Sequence, residues 1–263
     1  MPGHPQILTI LASSPVDIQL DLSGSSLSAV GINSICEMNQ QRFTAFYPDE
    51  IESATKFFAG QTHKAEVFSL ALYPEPPLEP VEIQPYSRPM KGQHCFFSQQ
   101  GELPEIHNRD IYSIGQHWPV SCTDQERAFC VLLERMLTLW QEGSPDQESR
   151  LALVSDYAAR LDRLGAHNFK YWDGNHLYAF SSQTDQLPPL KYFESTGSAF
   201  EFEDECIGRL AIKSEIATDL TVIGNLDFMQ NNCFQAIPAG AVACFTGGKL
   251  SDCCEQVNFW IEE

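Results

Sequence analysis

The sequence predicts an α+β domain of layered sheets and helices, and three observations carry that prediction. The first is residues 123–137, TDQERAFCVLLERML, which read as the start of a capped amphipathic helix. Thr123 and Glu126 have the spacing of a capping box, in which each side chain satisfies a backbone N–H. Phe129, Leu132, Leu133, Met136, Leu137 and Trp140 then recur on one face. The second is another helical stretch immediately downstream. Ser144-Pro145 supplies an N-cap and an N1 proline, and the pattern runs to Leu164 before Gly165 stops it. The third is a set of short apolar runs on both sides of this helix pair, which is the layout of an α+β layered domain.

The elements follow in order. Residues 7–12 are a short apolar run that suits a buried strand, and residues 26–35 are a second, broken by Gly31. Residues 42–47 and 65–73 are aromatic and apolar strands. Residues 74–92 hold six prolines, which predicts an extended surface loop, because each proline removes a donor and fixes φ. Residues 94–98 read as a strand and 99–101 as the turn ending it. The first long helix spans 124–142. Later strands fall at 169–172, 176–181, 220–223 and 239–245, with Asp173-Gly174 as a hairpin signal between the first two. The acidic stretch 201–205, EFEDE, reads as a solvated loop.

Composition limits the function classes. The chain has 263 residues, 43% of them hydrophobic, enough to bury a large core. A formal net charge of -19 repels phosphate backbones and anionic lipid, so neither nucleic acid nor a membrane surface is an expected partner. No run approaches the roughly 18 apolar residues of a membrane span, and the N-terminus lacks a basic n-region. The nine cysteines form no C-x-x-C pair and no zinc spacing, so no metal or cofactor is expected and the setting reads as a reducing cytoplasm. Cys130 and Cys244 lie in apolar stretches and read as core. Adjacent Cys253 and Cys254 are the pair that raises a redox question.

Five segments carry a resemblance to a known family. They are Thr123-Asp124-Gln125-Glu126-Arg127-Ala128-Phe129-Cys130, Phe97-Ser98-Gln99-Gln100-Gly101-Glu102-Leu103, Gln84-Pro85-Tyr86, Trp172-Asp173-Gly174 and Ile237-Pro238-Ala239-Gly240. In order and spacing they resemble T-D-S-E-x-A-F-C, F-A-H-N-G-x-L, H-P-F, S-D-G and M-P-G-E of the class II glutamine amidotransferases, in their short stand-alone branch. The resemblance spans nearly the whole chain. It implies one type-2 amidotransferase-like domain over residues 1–263, with the four-layer αββα sandwich of the N-terminal nucleophile hydrolases.

The chemistry implied by the resemblance does not carry over with it. The family's nucleophile is an N-terminal cysteine whose own α-amine is the base. Aligning the first strand puts that position at Pro5, and the first cysteine in the chain is Cys36. The arginine that clamps the substrate carboxylate falls at Ala71. The oxyanion-hole asparagine falls at Gln100, which keeps the amide but lengthens its reach, while Gly101 still offers a backbone N–H. Asp124, the family's binder of the substrate α-amine, is kept, although an acidic residue in a first helical turn also complements the helix dipole. Of D-G-W-G, residues 28–31 keep the final glycine, Gly31. The expectation is therefore a family member without a catalytic residue, with Gln100, Gly101 and Asp124 as the remaining substrate-binding positions. Such a protein would bind an amino-acid-like ligand or pair with a protein partner or active homologue. The competing expectation is an amide hydrolase with a non-standard nucleophile, such as the secondary amine of Pro2.

Overall fold

The computed structural model of the protein describes residues 4–22, 27–37, 39–60, 62–184, 186–204, 208–226, 229 and 233–255. In chain order its elements are β1 (Gln6–Asp21), β2 (Ala29–Cys36), β3 (Asn39–Ala45), α1 (Pro48–Gly60), β4 (His63–Tyr73), β5 (Tyr86–Met90), β6 (Gln93–Gly101), α2 (Asp124–Leu139), α3 (Gln147–Asp162), β7 (His167–Trp172), β8 (Leu177–Phe180), β9 (Lys191–Asp204), β10 (Gly208–Gly224), β11 (Gln235–Ala236), β12 (Val242–Thr246) and β13 (Lys249–Cys254). They form two sheets, ordered β11-β9-β10-β1-β4-β2-β3 and β13-β12-β8-β7-β6-β5, with antiparallel pairing throughout.

Three cores separate four layers. Ala54 and Phe58 of α1 pack with Leu8, Ile10, Phe68 and Leu70 on the outer face of the seven-stranded sheet. Ile7, Leu11, Ala71, Phe96, Trp172 and Ile223 fill the space between the sheets. Phe129, Leu132 and Leu133 of α2 and Val154 and Leu161 of α3 cover the outer face of the six-stranded sheet at Phe97, Phe169 and Tyr171. Each strand serves two cores because successive side chains point to opposite faces. The result is the αββα sandwich that the motifs imply.

Several local expectations change. Gly31 does not break β2, whose pairing with β3 and β4 runs through it. A Cβ there would lie 1.7 Å from the Gln84 carbonyl oxygen, so the glycine admits a crossing segment. Ser26 lies outside the described residues. The proline-rich stretch contains β5, and Pro89 is tolerated because β5 is an edge strand of its sheet. Residues 99–101 are not a turn but the end of β6, paired with β7. The acidic 201–204 stretch is strand β9, since Phe200 and Phe202 alternate with Glu201 and Glu203 and pack on the outer core. Glu205 lies outside the described residues. Helix α1 has no strong periodic signal in the sequence. Helix α3 is capped by Asp146, whose side chain accepts from the Ser149 N–H, and not by Ser144.

The capping box of α2 is half formed. The Thr123 hydroxyl accepts from the Glu126 N–H at 3.3 Å. Glu126 turns instead to Arg88 and to the Val120 and Ser121 N–H groups. The nearby guanidinium draws the carboxylate away from the helix start, and the buried ion pair locks α2 to β5.

Candidate functional site

The predicted positions gather where β1 begins, β6 ends and α2 starts. Gln100 Nε2 donates to the Pro5 carbonyl oxygen at 2.7 Å, which pins the beginning of β1 onto the end of β6. Gln100 is 2% exposed, and its Oε1 accepts from Asn168 Nδ2 at 3.4 Å. Asn168 in turn donates to the Pro188 carbonyl at 2.8 Å and accepts from the Ser182 N–H at 3.0 Å. The amide at position 100 thus has one N–H committed to the chain's own backbone.

Gly101 follows with φ +87°. A Cβ there would fall 2.0 Å from the Ala166 carbonyl oxygen, so both conformation and space demand glycine. Its carbonyl accepts from Gln125 Nε2 at 2.8 Å, which ties the end of β6 to the first turn of α2.

Asp124 opens α2. Its Oδ2 accepts from the Leu103 N–H at 2.7 Å, and its Oδ1 lies 2.8 Å from His107 Nε2. The Asp124 side chain is 20% exposed and His107 44%, so the pair remains at the surface. Ala71 is fully buried on β4, paired with Ile7 of β1 and Gly31 of β2. It contributes a methyl group to the core between the sheets and no charge.

A cleft of about 370 Å³ lies against this group, lined by His4, Gly101, Glu102, Gly165, Ala166 and Leu187 among others. It includes Gly101 but not Ala71. Behind its wall stands His167, fully buried between Phe169 and Phe180, with Nδ1 3.2 Å from the Gly165 carbonyl. Burial pushes its pKa down to about 4, against the opposing pull of the Gly165 carbonyl and Asp162.

Some contributors have roles that the sequence did not show, Gln84 of the Gln84-Pro85-Tyr86 segment among them. Gln84 clasps the Gln99 backbone with two bonds, Oε1 from the N–H at 2.6 Å and Nε2 to the carbonyl at 3.0 Å. This fixes the strand carrying Gln100. Asn168 and His107 are likewise set by tertiary contacts, and only the fold brings His107 to Asp124. Among the described residues no group of three or more His, Cys, Asp or Glu is arranged to hold a metal ion, and no helix is long and apolar enough to cross a membrane. Cys95, Cys130 and Cys244 are free and buried, and burial raises each thiol pKa.

With this geometry in view, comparisons place the chain among known proteins. A family model described as class-II glutamine amidotransferases matches residues 78–260, more than half of the chain. No curated protein sequence matches it. Among solved structures, it is similar to one described as a predicted glutamine amidotransferase from Pseudomonas aeruginosa, with 19% identity and a TM-score of 0.77, covering 94% of this chain and 99% of that one. It is also similar to the glutamine phosphoribosylpyrophosphate amidotransferase of B. subtilis, with 10% identity and a TM-score of 0.56, covering 95% of this chain but 49% of that one. A class-II domain protein from Silicibacter pomeroyi gives 11% identity and a TM-score of 0.53, with 95% and 98% covered. At these identities the likeness speaks to the fold.

Proposed function

The chain belongs to the class-II glutamine amidotransferase family, and from that premise we propose that it has lost glutamine hydrolysis and acts as a binding or regulatory subunit. One observation carries the reading. The position aligned with the family nucleophile is Pro5, which has no thiol or hydroxyl and whose carbonyl is held by Gln100. Cys36 is no substitute. It closes β2 at the end away from Ala29, which pairs with Tyr73 beside the β1 start. Seven residues of extended chain separate the two ends, roughly 23 Å.

The remaining groups suit binding better than acyl transfer. Gly101 borders the cleft, Gln100 precedes it on the same strand, and Asp124 offers a partly exposed carboxylate bonded to the Leu103 N–H. An amino-acid-like ligand would place its ammonium on Asp124 and displace His107. Ala71 provides no cation for a carboxylate at the family's clamp position. A protein partner, an active homologue included, is the second form of this reading, and the exposed Trp118 and Val120 favour it at 63% and 71% exposure.

A coupled assay of ammonia release from glutamine tests the proposal. Purified full-length protein should match the protein-free control. Glutamine-dependent release that Asp124→Ala abolishes would overturn it in favour of a hydrolase with a non-standard nucleophile. Thermal-shift screening with amino acids and γ-glutamyl compounds separates the two binding forms, because a ligand that binds the native state must stabilise it.

A further inference from the structure

The space between the two sheets holds a lysine with no hydrogen-bond or ion-pair partner among the described residues. Lys170 on β7 is fully buried. Its neighbours Phe169 and Tyr171 belong to the core beneath α2 and α3, whereas Trp172 belongs to the core between the sheets. Strand alternation therefore turns Lys170 inward, toward the opposite sheet. Its register partner on β6 is Ser98, also fully buried and, by the same alternation with Phe96 and Phe97, on the same face. On its other flank β8 presents Ala179. Neither Lys170 Nζ nor Ser98 Oγ has a hydrogen-bond partner among the described residues.

This combination stands apart from the other enclosed cations. Arg150 is 3.0 Å from Asp173, Arg88 pairs with Glu126, and Arg127 donates to the carbonyls of Ile106 and Tyr112 at 2.6 and 3.0 Å. Some polar side chains in the same layer are paired. Thr9 and Ser69, turned inward from β1 and β4 beside Ile7, Leu11 and Ala71, bond each other at 3.1 Å. An isolated ammonium cannot persist in such a place, and burial drives the Lys170 amine toward its neutral form.

We propose that Lys170 and Ser98 form a buried binding site between the sheets for a small monocarboxylic acid. The proton balance favours this class. A neutral acid brings its own proton, which passes from the carboxyl oxygen to the Lys170 nitrogen lone pair. The product is a carboxylate beside an ammonium, with no net charge added to the interior. One carboxylate oxygen takes the ammonium and the other takes the Ser98 hydroxyl, so both orphaned groups gain partners. A phosphate dianion would leave one charge unpaired. The neighbouring side chains of this core, Phe96, Trp172, Leu177 and Ala179, are apolar. Small molecules reach enclosed protein sites through local opening. Neither Lys170 nor Ser98 lines the cleft at Gly101, and the proposal does not depend on the fate of glutamine hydrolysis.

The test is thermal unfolding of the full chain at one fixed pH with sodium formate, acetate, butyrate or phosphate, each compared with sodium chloride at matched ionic strength. A monocarboxylate should raise the midpoint by roughly 3–5 °C for each tenfold of concentration above its Kd. Lys170→Met should abolish that rise while leaving the ligand-free midpoint equal or higher, since an unpaired buried amine has been removed. Ser98→Ala should weaken apparent affinity about tenfold. Should Lys170→Met not fold, the wild-type protein decides: the Lys170 15Nζ resonance must move toward the ammonium position as acetate is added. Carboxylates no more effective than chloride, an unchanged rise in Lys170→Met, a static Nζ resonance, or a response to phosphate alone would each overturn the proposal.

Discussion

His167 shows how one residue behind the cleft wall couples the site to stability. It follows Gly165 and Ala166, which line the cleft, and its ring lies in the aromatic core. Its folded pKa of about 4 is below the ordinary histidine value near 6.5. Between these values the unfolded chain binds a proton that the native protein refuses. Native stability therefore declines as pH falls from about 6.5 toward 4 and levels off below the folded pKa, a total loss on the order of 3 kcal/mol. Urea denaturation at pH 7, 5.5 and 4.5 measures it. His167→Leu should flatten its share of the slope, and an unchanged slope in that variant would assign the pH dependence elsewhere. At the same scale, legibility divides by contact range. Asp124 was readable as an acidic first-turn residue. That Gln100 bonds the Pro5 carbonyl and Asp124 meets His107 was not, because these pairs are 95 and 17 residues apart and no local pattern encodes them.

Elements legible in the sequence are those whose own periodicity agrees with their packing. Helix α2 was readable because its apolar stripe and Thr123 cap mark the same start. The hairpin joining β7 and β8 was readable from Asp173-Gly174, and Gly174 adopts φ +103°. Helix α1 and β5 were not readable, since α1 buries little beyond Ala54 and Phe58 and β5 owes its existence to the pairing with β6. The Asp173 hairpin also fastens a helix. Its Oδ1 accepts from the Asn175 and His176 N–H groups, both at 2.8 Å, while Oδ2 takes Arg150 of α3 at 3.0 Å. Arg150 and Asp173 are 4% and 1% exposed, so removing one strands the other. Asp173→Ala should cost about 3–5 kcal/mol of unfolding free energy. A loss below about 1 kcal/mol in equilibrium denaturation would mean that Ser144 Oγ and the Pro145 carbonyl, which Arg150 also bonds, suffice to hold it.

For the whole molecule, the charge imbalance sets conditions that no single contact does. The chain carries 35 Asp and Glu against 16 Lys and Arg. Cations such as Arg88, Arg150 and Lys249 are already held in ion pairs, so added carboxylates on the surface face one another across solvent. That repulsion disfavours the compact state and is long-ranged at low salt. The Debye length falls from about 30 Å at 0.01 M to about 8 Å at 0.15 M, shorter than the distance across the sandwich. Exposed pairs such as Lys56–Glu52 weaken under the same screening but contribute little to begin with. Relief of net repulsion should therefore win, and the unfolding midpoint should rise by a few degrees, roughly 2–4 °C for each kcal/mol of repulsion relieved. Sodium chloride titration from 0.01 to 0.15 M at neutral pH measures this directly. A midpoint that falls instead would place the balance of surface electrostatics with the ion pairs and against the net charge.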